Sequence, residues 1–340
     1  MSLVTLSGAE YHIGGNDILR GIDLTITPDT RLGIVGPNGS GKTTMMRMIA
    51  GELEPTSGSI FRLPRFRAGF LKQIKQGTGS LRDVVMSGSP LWSIRQKLDR
   101  LEDAGDHGEE YISLMGEWEH RGGYDLRRRA EEILSGLGFQ EKIFDAPSDR
   151  LSGGERERAF IGRLLLTEPD LYLMDEPTNN LDYDGLVFLA EFLKSGRTPF
   201  IVISHDRFFL DQVTTETAVM ETGKIRIFHG NFSHSMRERE LLRAQMLKDW
   251  KAQQEEIKKE KDFIARNIAG QKTKLAQARR KKLEKMDILE KPLRDQVLHF
   301  NLHADLRGGD DVIRMEGLEV GIAGRTLINK FKRMVHRQER

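Results

Sequence analysis

The sequence contains no cysteine among its 340 residues, which excludes disulfide bonds, zinc–thiolate sites and thiol catalysis. Long apolar runs are also missing, because stretches such as residues 200–203 are far too short to cross a bilayer. At the N-terminus no basic segment precedes an apolar one, so a secretion signal is not expected. These absences favour a cytoplasmic protein with no membrane-spanning segment.

The sequence has little net charge, although one segment is strongly basic. The formal net charge is only +2, yet residues 266–285 are strongly basic and contain a single acidic residue, so the remainder is net negative. The cations of this segment are Arg266, Lys272, Lys274, Arg279, Arg280, Lys281, Lys282 and Lys285. Such clusters attract nucleic-acid phosphates, although a charge run is often only a solvated helix face. No aromatic residue lies within the segment, so shape and phosphate contacts are expected rather than base stacking.

Residues 1–232 alternate strand-like and helix-like patterns, which is typical of an α/β domain with a largely parallel sheet. Short, unalternating apolar runs predict strands that are buried on both faces. These strands are predicted at residues 32–35, 171–174 and 199–204. Helices are predicted at about residues 44–50, 156–166 and 183–194. Residues 81–150 are mostly helical in pattern and predict an inserted helical subdomain.

The composition then changes to Lys, Glu, Gln, Arg and Ala, which predicts a charged helical linker over residues 233–310. Apolar residues on one helical face would let two such helices pack as an antiparallel hairpin. They are Ile257, Ile264 and Ile268. Gly270 is the predicted turn, and Pro292 the predicted end.

The last segment, residues 311–340, repeats the first. Residues 4–31 align without a gap on residues 313–340 at a constant offset of 309, with identities and apolar positions in common register. A repeated unit of this kind predicts that a second copy of the first domain begins here. The alternative is a short β-like tail that resembles the first strands by chance.

A glycine-rich loop follows an apolar strand and opens a helix, which is the context of a phosphate-binding loop. Its residues are Gly36, Pro37, Asn38, Gly39, Ser40, Gly41, Lys42, Thr43 and Thr44. The loop's backbone N–H groups and the helix N-terminus converge on phosphate oxygens. We expect Lys42 to reach the outer phosphates and the Thr43 hydroxyl to bind Mg²⁺. The alternative is an ordinary glycine-rich turn before a helix.

Two further elements indicate chemistry. The apolar run at 171–174 ends in Asp175 and Glu176, which are placed to hold Mg²⁺ and to accept a proton from an attacking water. A second loop precedes a helix and offers an anion-binding N-terminus. It consists of Leu151, Ser152, Gly153, Gly154 and Glu155. On its own, this second loop is more often a capped flexible turn.

These elements, together with Gln73, Asp182 and the Ser204–His205 pair, resemble in order and spacing those of the ATP-binding cassette ATPases. More narrowly, residues 175–182, residues 203–210 and the Gly-Asn-Phe-Ser sequence at 230–233 resemble the ABC-F subfamily. One departure is Asn180, where that subfamily usually has His. The resemblance implies a P-loop NTPase fold with an N-terminal antiparallel β subdomain and an inserted helical subdomain.

The resemblance also implies individual roles. Gln73 would bind Mg²⁺ and sense the attacking water, and His205 would contact the γ-phosphate. Tyr11 is a candidate for stacking on adenine, although a surface or core tyrosine explains it equally well. Residues 151–155 would close over the nucleotide of a second cassette, and Asp182 would couple the two sites. ATP and Mg²⁺ are thus the expected substrate and cofactor, with hydrolysis to ADP and phosphate.

The expected partners are the ribosome and transfer RNA, reached by the basic linker, together with a second cassette or a second copy of the chain. The first alternative is the ATPase subunit of a membrane transporter. The second is an ATP-binding fragment that is inactive without a second cassette, so turnover by this chain alone is left open.

Overall fold

The computed structural model describes residues 2–71, 79–267, 273–289, 291, 311–322 and 325–336. The chain forms two compact units, Met1–Leu289 and Glu290–Arg340. The strands of the first unit are β1 (Val4–Ile13), β2 (Asn16–Ile26), β3 (Arg31–Val35), β4 (Ser57–Arg62), β5 (Ala68–Phe70), β6 (Leu171–Asp175), β7 (Phe200–Ile203), β8 (Glu216–Glu221) and β9 (Lys224–His229). Its helices are α1 (Lys42–Ile49), α2 (Leu81–Met86), α3 (Trp92–Asp103), α4 (Glu109–His120), α5 (Asp125–Gly136), α6 (Gly153–Leu165), α7 (Tyr183–Ser195), α8 (Arg207–Val213), α9 (Phe232–Asn267) and α10 (Thr273–Glu284).

The central sheet has the strand order β5-β6-β7-β3-β8-β9 and is parallel except for the β8–β9 pair. Strand β7 is buried along its whole length, residues 32–34 of β3 and 171–174 of β6 are buried too, and Val35 is partly buried. This explains why their sequences are continuous apolar runs rather than alternating ones. The structure has strands at all three predicted positions.

Two further layers cover the sheet. Strands β2, β1 and β4 form an antiparallel sheet whose buried side chains share one apolar core with β3 and α1. Helices α2 to α5 share the other core with α6 and α7. The predicted parallel core, antiparallel sheet and inserted helices are therefore all present.

A helical hairpin follows β9. Helix α9 begins at Phe232, one residue before the predicted start of the linker, and Asn231 caps it by accepting a hydrogen bond from the His234 N–H (3.0 Å). Helix α10 packs antiparallel on α9, since Lys282 pairs with Glu256 while the later main chain reaches back to Gln253. The predicted turn at Gly270 and end at Pro292 lie outside the described residues. Within the described chain, no helix is both long and apolar enough to cross a membrane.

The second unit contains an antiparallel hairpin of β10 (Asp311–Ile322) and β11 (Arg325–His336). Every residue pair of β1–β2 recurs in it at an offset of 309; Val4 opposite Ile26, for example, becomes Ile313 opposite Val335. The irregularities recur as well, and Gly8 and Gly317 both have positive φ values of 55° and 65°. The repeat seen in the sequence is therefore a repeat of strand register and of bulge positions.

Candidate functional site

Three neighbouring strands bring the sequence-predicted residues to one edge of the central sheet. Strands β6, β7 and β3 are adjacent and parallel, so their carboxyl ends lie side by side. The glycine-rich loop follows β3, Asp175 ends β6, and His205 follows β7. Ligands of open parallel sheets bind at this edge.

The glycine-rich loop curls tightly against β8 before α1 begins. Gly36 has φ +155°, and a Cβ there would lie 2.2 Å from the Met220 carbonyl oxygen, so only glycine fits. The Lys42 ammonium, which is almost buried, donates to the carbonyl oxygens of Gly36 (2.8 Å) and Pro37 (2.9 Å). Ser40 Oγ is buried without a hydrogen-bond partner among the described residues. A buried ammonium and an unpartnered hydroxyl in one loop fit a phosphate ligand.

The two predicted Mg²⁺ ligands that the structure describes are in contact. Thr43 Oγ1 donates to Asp175 Oδ2 at 2.6 Å, across 132 positions of sequence. A hydroxyl and a carboxylate are oxygen ligands of the kind Mg²⁺ prefers, and Mg²⁺ usually takes its remaining ligands from phosphates and water. These residues therefore fit the ion. The third predicted ligand, Gln73, lies outside the described residues.

Glu176 and His205 meet beside this pair. Glu176 has a left-handed backbone (φ 51°), and its N–H donates to the Ile203 carbonyl oxygen at 2.9 Å, which fixes the turn after β6. Its Oε1 lies 3.3 Å from His205 Nε2, and its Oε2 accepts the His205 main-chain N–H at 3.3 Å. Burial raises the pKa of Glu176, and His205 opposes that rise. A half-buried carboxyl with a raised pKa is a good proton acceptor for water.

Two family models, both described as ABC transporter, match residues 19–179 and 218–300. The putative ATP-binding protein YdiF of Bacillus subtilis is 33% identical over 336 residues, 94% of this chain and 52% of its own length. ABC transporter F family member 2 of Arabidopsis thaliana is 33% identical over 358 residues, 99% of this chain and 52% of its own length. The chain belongs to the ATP-binding cassette ATPases. It spans about half the length of these relatives.

Solved structures agree on the fold. The ATP-binding subunit of an ABC transporter superposes with a TM-score of 0.53 at 18% identity, covering 71% of this chain and 94% of that one. The dimeric post-hydrolysis state of an ATP-binding cassette, bound to ADP and phosphate, has a TM-score of 0.50 at 22% identity, covering 66% and 98%. The predicted cassette fold is thereby confirmed.

The second loop of the cassette caps helix α6. Ser152 is the N-cap, and its Oγ accepts the Glu155 N–H (3.3 Å) while donating to Glu155 Oε2 (2.7 Å). The hydrogen bond from the Ser152 hydroxyl lowers the pKa of the Glu155 carboxyl, and the Ser152 main-chain N–H, which donates to the same oxygen (2.9 Å), lowers it further. Sequence reasoning missed this capping box, although a Ser followed three residues later by Glu is its signature. The cap explains why α6 starts at Gly153 rather than at residue 156. Leu151 is buried, and Ser152 and Gly153 are exposed.

The segment after Glu176 is also fixed locally. Asp182 Oδ1 accepts the Gly185 N–H at 2.9 Å and caps α7. Asn180, the departure from the subfamily pattern, donates its side-chain amide to Glu157 on α6. Sequence reasoning missed this contact, because only the fold brings α6 beside this loop.

Tyr11 lies on β1 opposite Leu19 and is half-buried against the core of the antiparallel sheet. Part of its ring surface is thus already used in packing. Its role in binding adenine stays a prediction.

The basic cations of the hairpin fall into groups with different environments. Arg279 pairs with Glu260 (3.2 Å) and lies over the Phe263 ring (4.0 Å), and Lys282 pairs with Glu256 (3.5 Å). These two cations join α10 to α9. Arg280 pairs with Glu284 (2.9 Å) within α10.

The remaining cations have different surroundings from those that join the two helices. Lys281 and Lys285 are exposed and make no hydrogen bond or ion pair with the described residues, and Arg266 is exposed on α9. Lys272 and the side chain of Lys274 lie outside the described part of the chain. Among the predicted RNA-contact residues whose side chains the structure describes, Lys281 and Lys285 are therefore well placed to meet a partner.

Proposed function

We propose that the chain is an ABC-F ATPase that binds Mg-ATP at residues 36–44 and hydrolyses it to ADP and phosphate. The contact between Thr43 and Asp175, directly beside the Glu176–His205 pair, carries this proposal. Bound Mg²⁺ would neutralise charge on the β- and γ-phosphates and orient them. Lys42 then binds the outer phosphates, as its place among the loop carbonyls supports.

Glu176 accepts the proton of the attacking water. Its raised pKa and its second contact to the His205 main chain support that role, because the carboxylate is both basic and held in place. His205 contacts the γ-phosphate from the neighbouring strand end, and Gln73 completes the Mg²⁺ ligands and senses the water.

The ATP site is shared between two cassettes. The N-terminus of α6, with Ser152, Gly153 and Gly154, closes over the nucleotide of the facing cassette, and Asp182 couples the two sites. Exposure of Ser152 and Gly153 supports this use, because a helix N-terminus open to solvent is available to a phosphate from outside. The facing cassette is a second copy of the chain or a second cassette.

The chain is organised as a cassette over residues 1–232, a charged helical hairpin over 233–310 and the start of a second cassette over 311–340. The helical subdomain occupies residues 81–150. The shared register of β1–β2 and β10–β11 supports the last assignment, since a chance tail has no reason to reproduce bulge positions.

Cassette closure moves the hairpin against the ribosome and its transfer RNA. Exposed Lys281 and Lys285 on a long helical hairpin support this partner, because lysines that pair with none of the residues the structure describes are available to neutralise phosphates. Co-sedimentation with ribosomes in the presence of ATP tests it. Association with membranes instead would indicate a transporter subunit.

The catalytic proposal is tested by Glu176→Gln, compared with Glu191→Gln, which changes an exposed carboxylate on α7. Glu176→Gln should keep ATP binding and lower turnover by about 10²- to 10⁴-fold, the usual contribution of a general base. Glu191→Gln should match the unaltered chain. Turnover that survived Glu176→Gln would refute the assigned role.

A further inference from the structure

The two motifs at residues 203–210 and 230–233 lead to a contact in the structure that lies outside the ATP site, which uses only His205 of them. Asp211 directly follows the motif at residues 203–210, and Ser233 ends the Gly-Asn-Phe-Ser motif. Asp211 Oδ1 accepts the Ser233 main-chain N–H at 2.6 Å, and Asp211 Oδ2 accepts the Ser233 hydroxyl. Both side chains are half-buried, so the two hydrogen bonds are shielded from water and fix one geometry.

We call the hydrogen-bonded contact between Asp211 and Ser233 the joint. On the side of Asp211, the joint is connected to the ATP site through α8. Asp211 lies on α8, which starts just after His205 and is capped by Asp206, whose Oδ1 accepts the Phe209 N–H at 2.9 Å. Phe209 and Leu210 are buried in the core beneath the helix. Because α8 is short and its Phe209 and Leu210 are packed in the core, we expect a main-chain displacement at His205 to carry Asp211 with it.

On the other side, the joint holds the base of a long arm. Ser233 lies in the first turn of α9, a 36-residue helix with no glycine or proline to bend it. Arg239, about two turns further along, pairs with Glu221 at the end of β8. Helix α9 is thus held by α8 at Ser233 and by the central sheet at Arg239, with a weaker contact from Arg226 of β9 to Met246 Sδ (3.8 Å).

With Arg239 as the pivot, α9 can act as a lever. The distance from Ser233 to Arg239 is about 9 Å, and that from Arg239 to Lys261 is about 33 Å, at 1.5 Å per helical residue. A shift of 1 Å between α8 and β8 would therefore move Lys261 by about 4 Å.

We propose that Asp211 is a positioning residue that couples His205 and α8 to the hairpin through Ser233. The proposal rests on the proposed function, because it specifies how a change at the ATP site moves the hairpin. The two motifs then act together, since the first carries His205 and leads directly into the acceptor Asp211, and the second ends in Ser233, which supplies both donors at the start of α9.

The coupling is tested by a distance measurement between spin labels on the full chain. Because the sequence has no cysteine, Asp29→Cys in the turn before β3 and Lys261→Cys on α9 label two exposed positions uniquely. The label distance is measured without nucleotide and with Mg²⁺ and a non-hydrolysable ATP analogue. Analogue binding and thermal unfolding are measured on the same samples.

Asp211→Asn keeps the side-chain volume but loses one acceptor oxygen and the charge, and Ser233→Ala loses the hydroxyl donor. Ser233→Thr keeps both donors and serves as the rescue variant, and Glu238→Gln is a matched control on the exposed face of α9. The analogue should change the label distance by several ångströms in three proteins: the unaltered chain, Ser233→Thr and Glu238→Gln. The expected change is about 4 Å for each 1 Å of shift between α8 and β8. Asp211→Asn and Ser233→Ala should bind the analogue and lose at least half of that change.

The outcomes separate the two proposals. If the unaltered chain binds the analogue and its distance stays constant, the proposed coupling of ATP to the hairpin is wrong, and the role of Asp211 falls with it. If the analogue changes the label distance in the unaltered chain and changes it as much in folded Asp211→Asn and Ser233→Ala, only the role of Asp211 is refuted. Should Asp211→Asn fail to fold, Ser233→Ala against Ser233→Thr decides the question.

Discussion

Replacing Lys281 and Lys285 together by alanine should weaken RNA binding without weakening the hairpin. Both side chains are exposed and make no hydrogen bond or ion pair with the described residues. Their removal should therefore change the free energy of unfolding by no more than about 0.5 kcal/mol, as is usual for surface positions without specific contacts.

The size of the binding effect follows from counter-ion release. Each cation that neutralises one phosphate contributes about 0.7 to 0.9 to the slope of log affinity against log salt concentration, so losing two should reduce that slope by about 1.4 to 1.8. Filter binding of transfer RNA across a potassium chloride series measures it. Because the slope counts phosphate contacts, it distinguishes a lost contact from a misfolded protein.

The matched control removes the same charge from the inner face of the hairpin. Arg279→Ala with Lys282→Ala deletes the ion pairs to Glu260 and Glu256 and the stacking of Arg279 on Phe263. The cation–π contact contributes about 0.5 to 1 kcal/mol, and the partly exposed ion pairs at most about 1 kcal/mol each. This control should lower the melting temperature, unlike the first pair. An unchanged salt slope after loss of Lys281 and Lys285 would refute the RNA contact assigned to them.

Two further predictions concern the ATP site. Burial raises the pKa of Glu176, and the proton acceptor must be ionised, so turnover should fall on acidification at a pH above the ordinary glutamate range. His205 lowers the pKa of Glu176, so His205→Ala should move that fall to higher pH in a pH–rate profile. Gly36→Ala should abolish ATP binding and lower the melting temperature, because the added Cβ would overlap the Met220 carbonyl oxygen. In Gly39→Ala the added Cβ meets no atom within 4 Å, so this variant should lose only about 1 to 2 kcal/mol of stability through the strain of its φ of +78°. Equal melting temperatures for the two alanine variants would contradict this account of the loop.

Local signals predicted much of the fold and of the site. The apolar runs predicted β3, β6 and β7 because strands buried on both faces have no polar face to interrupt them. The glycine-rich loop and the acids that end β6 were readable because their spacing is set by one turn of chain. The contact of Thr43 with Asp175 was not predicted, because it depends on the strand order, in which β7 alone separates β3 from β6.

Contacts between distant segments were beyond the sequence. Nothing in the basic run separates Arg279, which faces α9, from Lys281, which faces solvent, because the turn between the helices fixes which face of α10 is inward. The pairing of Asp211 with Ser233 is also invisible without the fold, since the two residues lie on separate helices. The capping box of Ser152 and Glu155 is a different case, because its short-range pattern was present but was interpreted as an anion-binding helix start or a capped turn, without the reciprocal bond from Glu155.

The central claim is that ATP is hydrolysed in a site built by two cassettes, and mixing two inactive variants tests it most directly. Glu176→Gln disables a copy's own site. Gly153→Asp should disable only the facing site, because a Cβ at Gly153 meets no atom within 4 Å in its own chain, while the added carboxylate would repel a phosphate held opposite.

Each variant alone should be inactive. In an equal mixture, half of the dimers combine the two variants and each of these keeps one intact site, so turnover should recover to about one quarter of that of the unaltered chain. A mixture that stays as inactive as its components would contradict the shared site.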